Sequence, residues 1–263
     1  MSASAKAIAE RFVNARRSAT VLPEYPGSAP ETLEAAYRIQ DEAIALDARP
    51  VLGWKVGRIM PPLDDQYGAD RLAGPIFTVT DAAAGNSMPV FADGFAAGEA
   101  EFLLRVGKRP PHGKVDFTLA EAKALLDAVH LGIEVASSPF PGINDHGPGV
   151  TVSDCGNNYG LLIGEAVSNW QDDAFADWDV VSYRNGEEVG RAKASAMPDG
   201  PIGAARFLFS LLARRGIAIE PGLWISSGAV TGVHPVSVGD SFSARFDGHD
   251  PLDCTFVAAQ GEG

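Results

Sequence analysis

Cysteine is nearly absent. Cys155 and Cys254 are the two in 263 residues. Their spacing suits neither a disulfide framework nor a zinc site, so a reducing, cytoplasmic setting is expected. Basic runs are missing as well: no Lys/Arg block exceeds two residues, and 21 basic against 34 acidic side chains leave a net charge of −13. That balance argues against nucleic acid and anionic membrane surfaces as partners. Small anionic substrates stay open, because a bound cation can reverse the local field. No apolar run approaches membrane-spanning length. There are no repeats or low-complexity tracts, no phosphate-binding glycine motif ahead of a helix and no Gly-x-Ser-x-Gly nucleophile elbow. A nucleotide-binding protein and a serine hydrolase are therefore disfavoured.

What is present is a 46% hydrophobic chain, enough for a large core, with 29 glycines and 18 prolines scattered between apolar segments as turns. The first nineteen residues are rich in Ser, Ala and Arg, as transit peptides are. Ala7, Ile8, Phe12 and Val13 have helix spacing, however, and Glu10 is out of character for an import signal, so a helix over about 5–18 is predicted. Ser28 to Glu31 reads as a capping box opening a second helix to about Leu46. These two helices predict an N-terminal helical cap region, residues 1–70 including the strand around Lys55. A β-rich body follows over 71–263, the whole forming one folding unit. Within that body Thr118 to Glu121 reads as another capping box with a helix from Ala122 to Val129, Asn185-Gly186 as a hairpin turn, and Ile202 to Arg215 as a helix stopped by Gly216. Strands are expected at about 51–57, 132–136, 159–163, 223–226, 241–246 and 253–258.

Two places in these strands carry unexpected charge. In Gly98 to Val106, Glu99 and Glu101 are two residues apart and so project from one face of an otherwise apolar strand. Glu134 sits in a similar apolar setting, between Ile133 and Val135. Three carboxylates from two strands suit a hard divalent cation; the alternative is solvent-facing charge at strand ends. Lys55 is a lone cation in the apolar run Val51 to Gly57. It lies either on an exposed face or opposite negative charge. Burial would depress its pKa and fit it for proton transfer.

Gly53-Trp54-Lys55-Val56-Gly57, Glu99-Ala100-Glu101-Phe102, Gly132 to Val135, Asp154 to Gly164, and Ile225 to Gly228 through Gly239-Asp240 occur in that order. Together they resemble the fumarylacetoacetate hydrolase superfamily, and within it the 2-keto-4-pentenoate hydratase and 4-oxalocrotonate decarboxylase branch. The resemblance runs over nearly the whole chain, and its specific part is the Glu-x-Glu with the later Glu. It implies an α+β fold with a mixed β-sandwich or β-roll core, one Mg2+ or Mn2+ held by Glu99, Glu101 and Glu134, and a homo-oligomer. Lys55 falls at the lysine beside the substrate, and Asp70 falls near an acidic position implicated in catalysis. Arg58, Asn157 and Ser227 are expected to bind the substrate.

The implied activity is a metal-dependent lyase of aromatic-compound catabolism, a hydratase adding water to a 2-hydroxy-2,4-dienoate. A 2-oxo acid decarboxylase of the 4-oxalocrotonate type and an acylpyruvate hydrolase are the alternatives. The hydrolases use a His-Glu pair, whereas none of His112, His130, His146, His234 and His249 has glutamate three residues on. Retention of Lys55 with all three glutamates argues against a silent metal-binding scaffold. Departures from the branch cluster around the substrate. Asn157 stands where a serine is usual, Arg71-Leu72-Ala73 occupies the place of a second aspartate, and Arg58 and Lys193 are added cations that would suit a second carboxylate.

Overall fold

The computed structural model describes residues 4–261. Helix α1 (Ala5–Ser18) is capped by the Ser4 side chain and buries Ile8, Phe12 and Val13, the predicted face. Helix α2 (Leu33–Asp47) packs against it, and its cap is Thr32 rather than Ser28. The physical reason is Pro30: it disfavours helical backbone at Ala29, so the segment stays open until Thr32 can accept from the Ala35 amide.

After α2 come β1 (Gly53–Arg58), a short α3 (Leu63–Tyr67), β2 (Arg71–Ile76), β3 (Val79–Asp81), β4 (Ser87–Val90) and the twelve-residue β5 (Phe95–Val106). The capping box at Thr118 opens α4 (Leu119–Ala124). This helix ends five residues before the predicted boundary at Val129, because Leu126 already pairs with Val106 as the start of β6 (Leu126–Ser138). There follow α5 (Pro148–Ser153), β7 (Asn158–Ala166), the hairpin β8 (Val180–Arg184) and β9 (Glu187–Ala192), and α6 (Gly200–Arg214). Strands β10 (Trp224–Ser226), β11 (His234–Pro235), β12 (Ser241–Phe246) and β13 (Leu252–Ala258) complete the described chain. Asn185 and Gly186 both have positive φ, 51° and 84°, as a two-residue hairpin turn of this hand requires.

Two mixed sheets result. The larger has the order β2-β1-β10-β5-β6-β7-β3, with β11 also on β5; the smaller has the order β4-β13-β12-β8-β9. Pairs β1–β10, β3–β7 and β4–β13 are parallel and the rest are antiparallel. Strand β1, from the predicted cap region, lies inside the larger sheet between β2 and β10. No helix among the described residues is long and apolar enough to cross a membrane.

The period-2 alternation of the central strands decides where the chemistry sits. Trp54 and Val56 of β1, Ala100, Phe102 and Leu104 of β5, and Ile133 and Val135 of β6 all belong to the main core. Phe102 meets Phe175 and Phe246 from beyond the sheet at ring-centroid distances of 4.9 and 5.2 Å. Burying such a ring is worth roughly 1.5–3 kcal/mol. Those contacts fix the register, so a one-residue slip would turn every charged residue into the core. The residues between them, Lys55, Glu99, Glu101 and Glu134, are thereby sent to the opposite face.

Candidate metal centre and cavity

Glu99 lies directly across from Glu134 in the β5–β6 ladder, and Glu101 is one pleat along the same face. All three are buried, with 4%, 0% and 0% exposure. One carboxylate oxygen from each lies within 4.8 Å of the others. Like charges directly opposite on a sheet destabilise it unless neutralised. Among the described residues one cation serves this cluster: Lys55 Nζ is 3.1 Å from Glu134 Oε1 and donates to Asn157 Oδ1 at 3.1 Å.

The remaining polar contacts hold the carboxylates in place. Asn158 Nδ2 donates to Glu134 Oε1 at 2.9 Å. Ser226 Oγ donates to Glu101 Oε2, and the Gly228 amide donates to the same oxygen at 2.9 Å. Glu101 Oε1 is buried with no hydrogen-bond partner. An oxygen-only set of three carboxyl groups, one with an orphaned buried oxygen, beside a single ammonium fits a divalent cation of the Mg2+ or Mn2+ kind in donor chemistry.

The electrostatics follow from burial. It pushes the Glu99 carboxyl up to about 7, against the pull of Lys55 and with the Glu134 charge adding to the rise. Burial, then Glu134 and Glu99, hold Glu101 well above the usual carboxylate range. For Lys55, burial alone would lower the pKa, as the sequence predicts, but Glu134, Glu99 and Glu101 together raise it above its ordinary value. Lys55 is a firmly charged ammonium in this cluster, which corrects the expected depression.

These directions predict a pH dependence. A carboxyl raised from 4.5 to about 7 binds its proton more tightly in the folded than in the unfolded chain. Its stabilising contribution is full below the unfolded value of 4.5 and is lost as pH rises through about 7. For one such group the loss is on the order of 3 kcal/mol. Metal-free protein should therefore melt at lower temperature at pH 8 than at pH 5.5, and metal should bind more weakly at pH 5.5, where protons occupy the ligands. Melts in chelator across that range, with calorimetric titrations of Mn2+, check both; a stability that rises with pH would contradict the assignment.

A cavity of about 740 Å³ opens from this cluster. Its walls include the buried Lys55, Glu99, Asn157 and Ser227, and at the exposed rim Arg58, Met60, Lys193 and Val233. The Ser227 hydroxyl is buried without a partner. Asn157 Nδ2 is held by Asn144 Oδ1 at 3.1 Å. Lys193 is tied to the Asp177 carbonyl at 2.6 Å and to Asp179 at 3.2 Å.

The structure thus brings together seven of the eight predicted site residues: Lys55, Arg58, Glu99, Glu101, Glu134, Asn157 and Ser227. Asp70 is not among them. It sits just ahead of β2, its side chain is 57% exposed, it lies 3.8 Å from Arg71, and it does not line the cavity. Its place is taken by Arg71, which is buried, lines the cavity and donates to the Pro198 carbonyl. Arg71 stands directly opposite Arg58 in the β1–β2 ladder. Arg58 has no hydrogen-bond or ion-pair partner among the described residues. Burial, and the neighbouring Arg206 and Arg58 charges, lower the Arg71 pKa.

Asn157 reaches the site through an unusual backbone. Cys155, Gly156 and Asn157 have φ of 55°, 64° and 57°, three successive left-handed residues of which only one is glycine. Each non-glycine residue held there costs about 1–3 kcal/mol, which the surroundings must offset. The turn presses on β2 closely enough that a Cβ at Gly74 would stand 2.1 Å from the Cys155 carbonyl oxygen. Sequence reading identifies Asn157 as a departure but misses Asn158, Ser226 and Arg71. Ser226 has a recoverable signal, a lone hydroxyl in the apolar strand segment that pairs with Lys55.

No protein-family model matches the chain. Two curated proteins, both named 4-oxalocrotonate decarboxylase, are similar in sequence. That of Pseudomonas sp. (strain CF600) is 29% identical over 159 residues, 60% of this chain and 59% of that protein. That of Pseudomonas putida is 29% identical over 106 residues, 40% of each chain. The matched stretches therefore span about three fifths or less of those relatives. Among solved structures, 4-oxalocrotonate decarboxylase from Pseudomonas putida G7, complexed with magnesium and adipate, shares the fold. Its TM-score is 0.79 at 21% identity, over 96% of this chain and 97% of that one. Fumarylpyruvate hydrolase from Pseudomonas aeruginosa, in complex with Mn2+ and pyruvate, gives a TM-score of 0.54 at 16% identity, over 78% and 89%.

Proposed function

We infer, for a chain that belongs to the fumarylacetoacetate hydrolase superfamily on its decarboxylase and hydratase branch, a Mg2+- or Mn2+-dependent decarboxylase of a 2-oxo dicarboxylic acid. The substrate is of the 4-oxalocrotonate type, a product of aromatic catabolism. One observation carries the reading: Glu99 and Lys55 of the buried acidic cluster line a cavity that the opposed arginines of β1 and β2, Arg58 and Arg71, also line.

Glu99, Glu101 and Glu134 would hold the cation. A bound Mg2+ or Mn2+ supplies Lewis acidity that stabilises negative charge on a 2-oxo oxygen. The chain's own residues do the rest. Lys55 Nζ, charged and fixed between Glu134 and Asn157, is the donor placed to protonate the dienolate left when the distal carbon–carboxyl bond breaks and its electron pair passes through the conjugated chain to the 2-oxo oxygen. The free Ser227 hydroxyl is available to the substrate's inner end. Arg58 and Arg71 take the distal carboxylate, which also relieves the repulsion between two facing cations.

Hydration of a 2-hydroxy-2,4-dienoate, the activity placed first from sequence, would use the same metal and lysine. A monocarboxylate would leave Arg58 without a counter-ion, and the similar curated proteins bear the decarboxylase name. Hydrolysis of an acylpyruvate is disfavoured further because no histidine lines the cavity.

The test is a panel of 4-oxalocrotonate, 2-hydroxypenta-2,4-dienoate and an acylpyruvate, followed by ultraviolet absorbance and carbon dioxide release, with Mg2+, Mn2+ or chelator. Decarboxylation should depend wholly on metal. Arg58→Ala should raise KM for the dicarboxylate about tenfold while leaving any monocarboxylate turnover nearly unchanged. Faster hydration of the dienoate than loss of carbon dioxide, or turnover indifferent to chelator, would overturn the reading.

A further inference from the structure

We propose that Arg16, on the first helix and outside the cavity, is a positioning residue for the reactive cluster: it clamps both ends of the left-handed turn Cys155–Asn157 so that Asn157 meets Lys55 and Asn158 meets Glu134. The inference rests on the reading of Lys55 and the three glutamates as the reactive site.

The geometry is specific. Arg16 Nε donates to Asp154 Oδ1 at 2.6 Å and Nη2 donates to Oδ2 at 2.9 Å, a two-pronged pair whose side chains are 12% and 0% exposed. The same guanidinium donates from Nη1 to the Asn158 carbonyl at 3.0 Å and from Nη2 to the Ser137 carbonyl at 3.1 Å. Asp154 precedes the turn, Asn158 follows it, and Ser137 lies three residues beyond Glu134 on β6. One planar cation thus ties three backbone segments together, which a lysine ammonium cannot do in the same geometry. Ser138 Oγ donates to Asp154 Oδ2 at 2.6 Å and completes the carboxylate's partners.

The turn itself needs such a clamp. An internal bond from the Asn157 amide to the Asp154 carbonyl, at 2.8 Å, closes it, but Cys155, one of its three left-handed residues, carries a side chain that disfavours that conformation. Released, Asn157 would swing toward an ordinary backbone and take its Oδ1 from Lys55. Asn158 would then lose its aim at Glu134. A helix 138 residues away in sequence from Asp154 thereby sets the aim of two site asparagines.

The experiment uses the full chain carrying Arg16→Lys, alone and with Asn157→Gly. Glycine removes the asparagine side chain while tolerating the left-handed backbone. Arg16→Lys should melt within a few degrees of wild type yet lose about tenfold or more in kcat at saturating metal, with KM little changed. Its Mn2+ affinity by calorimetry should also weaken several-fold, an arm that needs no substrate and stands even where the decarboxylase reading fails. In the Asn157→Gly background the further kcat loss should shrink, because the share that Arg16 exerts through Asn157 is already gone and only its hold on Asn158 remains. Unchanged kcat and metal affinity would overturn the proposal, as would losses that multiply in the double variant. Should Arg16→Lys not fold, Ser138→Ala, which removes only the hydroxyl on Asp154, should give a smaller loss of the same kind; no loss there overturns the proposal as well.

Discussion

Glu101→Gln should weaken Mg2+ or Mn2+ binding by roughly a hundredfold or more and, in the same protein freed of metal, raise the melting temperature. The two effects share one cause. Glu101 is fully buried, faces Glu99 and Glu134, and keeps one oxygen without a partner. That arrangement is costly without a cation and favourable with one. Glutamine preserves shape and can still accept from Ser226 and the Gly228 amide, but it removes a charge and offers a poor ligand. In the metal-free protein its amide can donate toward the carboxylates that repelled Glu101.

The sign with pH follows from the raised Glu101 pKa. Below the unfolded carboxyl range both variants are neutral at this position and should melt alike. As pH rises toward the folded value, only wild type loses stability, so the variant's advantage should grow from pH 5.5 to pH 8.5. Metal should raise the melting temperature of wild type strongly and of the variant little, since ligand-linked stabilisation follows affinity. Calorimetric titration with Mn2+ and paired melts decide it. Equal affinity in the two proteins would remove Glu101 from the ligand set.

The acidic cluster is legible in the sequence because strand geometry has a simple period. Two glutamates two residues apart in an apolar strand must share a face, and their burial is what suits them to a cation. Lys55 was legible for the converse reason, a cation where burial alone would forbid one. Its raised pKa was not, since that depends on the distance to carboxylates from β5 and β6 rather than on its own strand. Asp70 failed because an acidic residue near a strand start has no period to place it. Its neighbour Arg71 gained importance only from a ladder register that sets it opposite Arg58. The clamp from Arg16 to Asp154 joins segments 138 residues apart and leaves no local pattern at all. Ser28 to Glu31 had the letters of a capping box, and Pro30 annulled them.

Lys55→Met should give nearly the reverse pattern of Glu101→Gln. Turnover should fall by about 10²–10⁴, the usual range for losing a positioned proton donor, while metal affinity holds or tightens. The ammonium lies 3.1 Å from Glu134 and contributes a positive charge that competes with any cation for the same carboxylates. Methionine fills a similar volume and removes the competitor, so metal binding should gain a few-fold. Without metal the balance is different. Glu134 loses the ammonium and keeps only its bonds from Asn158 and Ser226, with Glu99 and Glu101 still alongside. Breaking a buried pair in this way costs about 3–5 kcal/mol, so the metal-free variant should melt well below wild type, and added metal should recover most of the difference. Rate, metal affinity and the two melting temperatures therefore form a signature that general misfolding cannot imitate, because misfolding would weaken metal binding too. Metal affinity lowered tenfold or more would make Lys55 part of the metal site's architecture, and a kcat within threefold of wild type would remove it from catalysis.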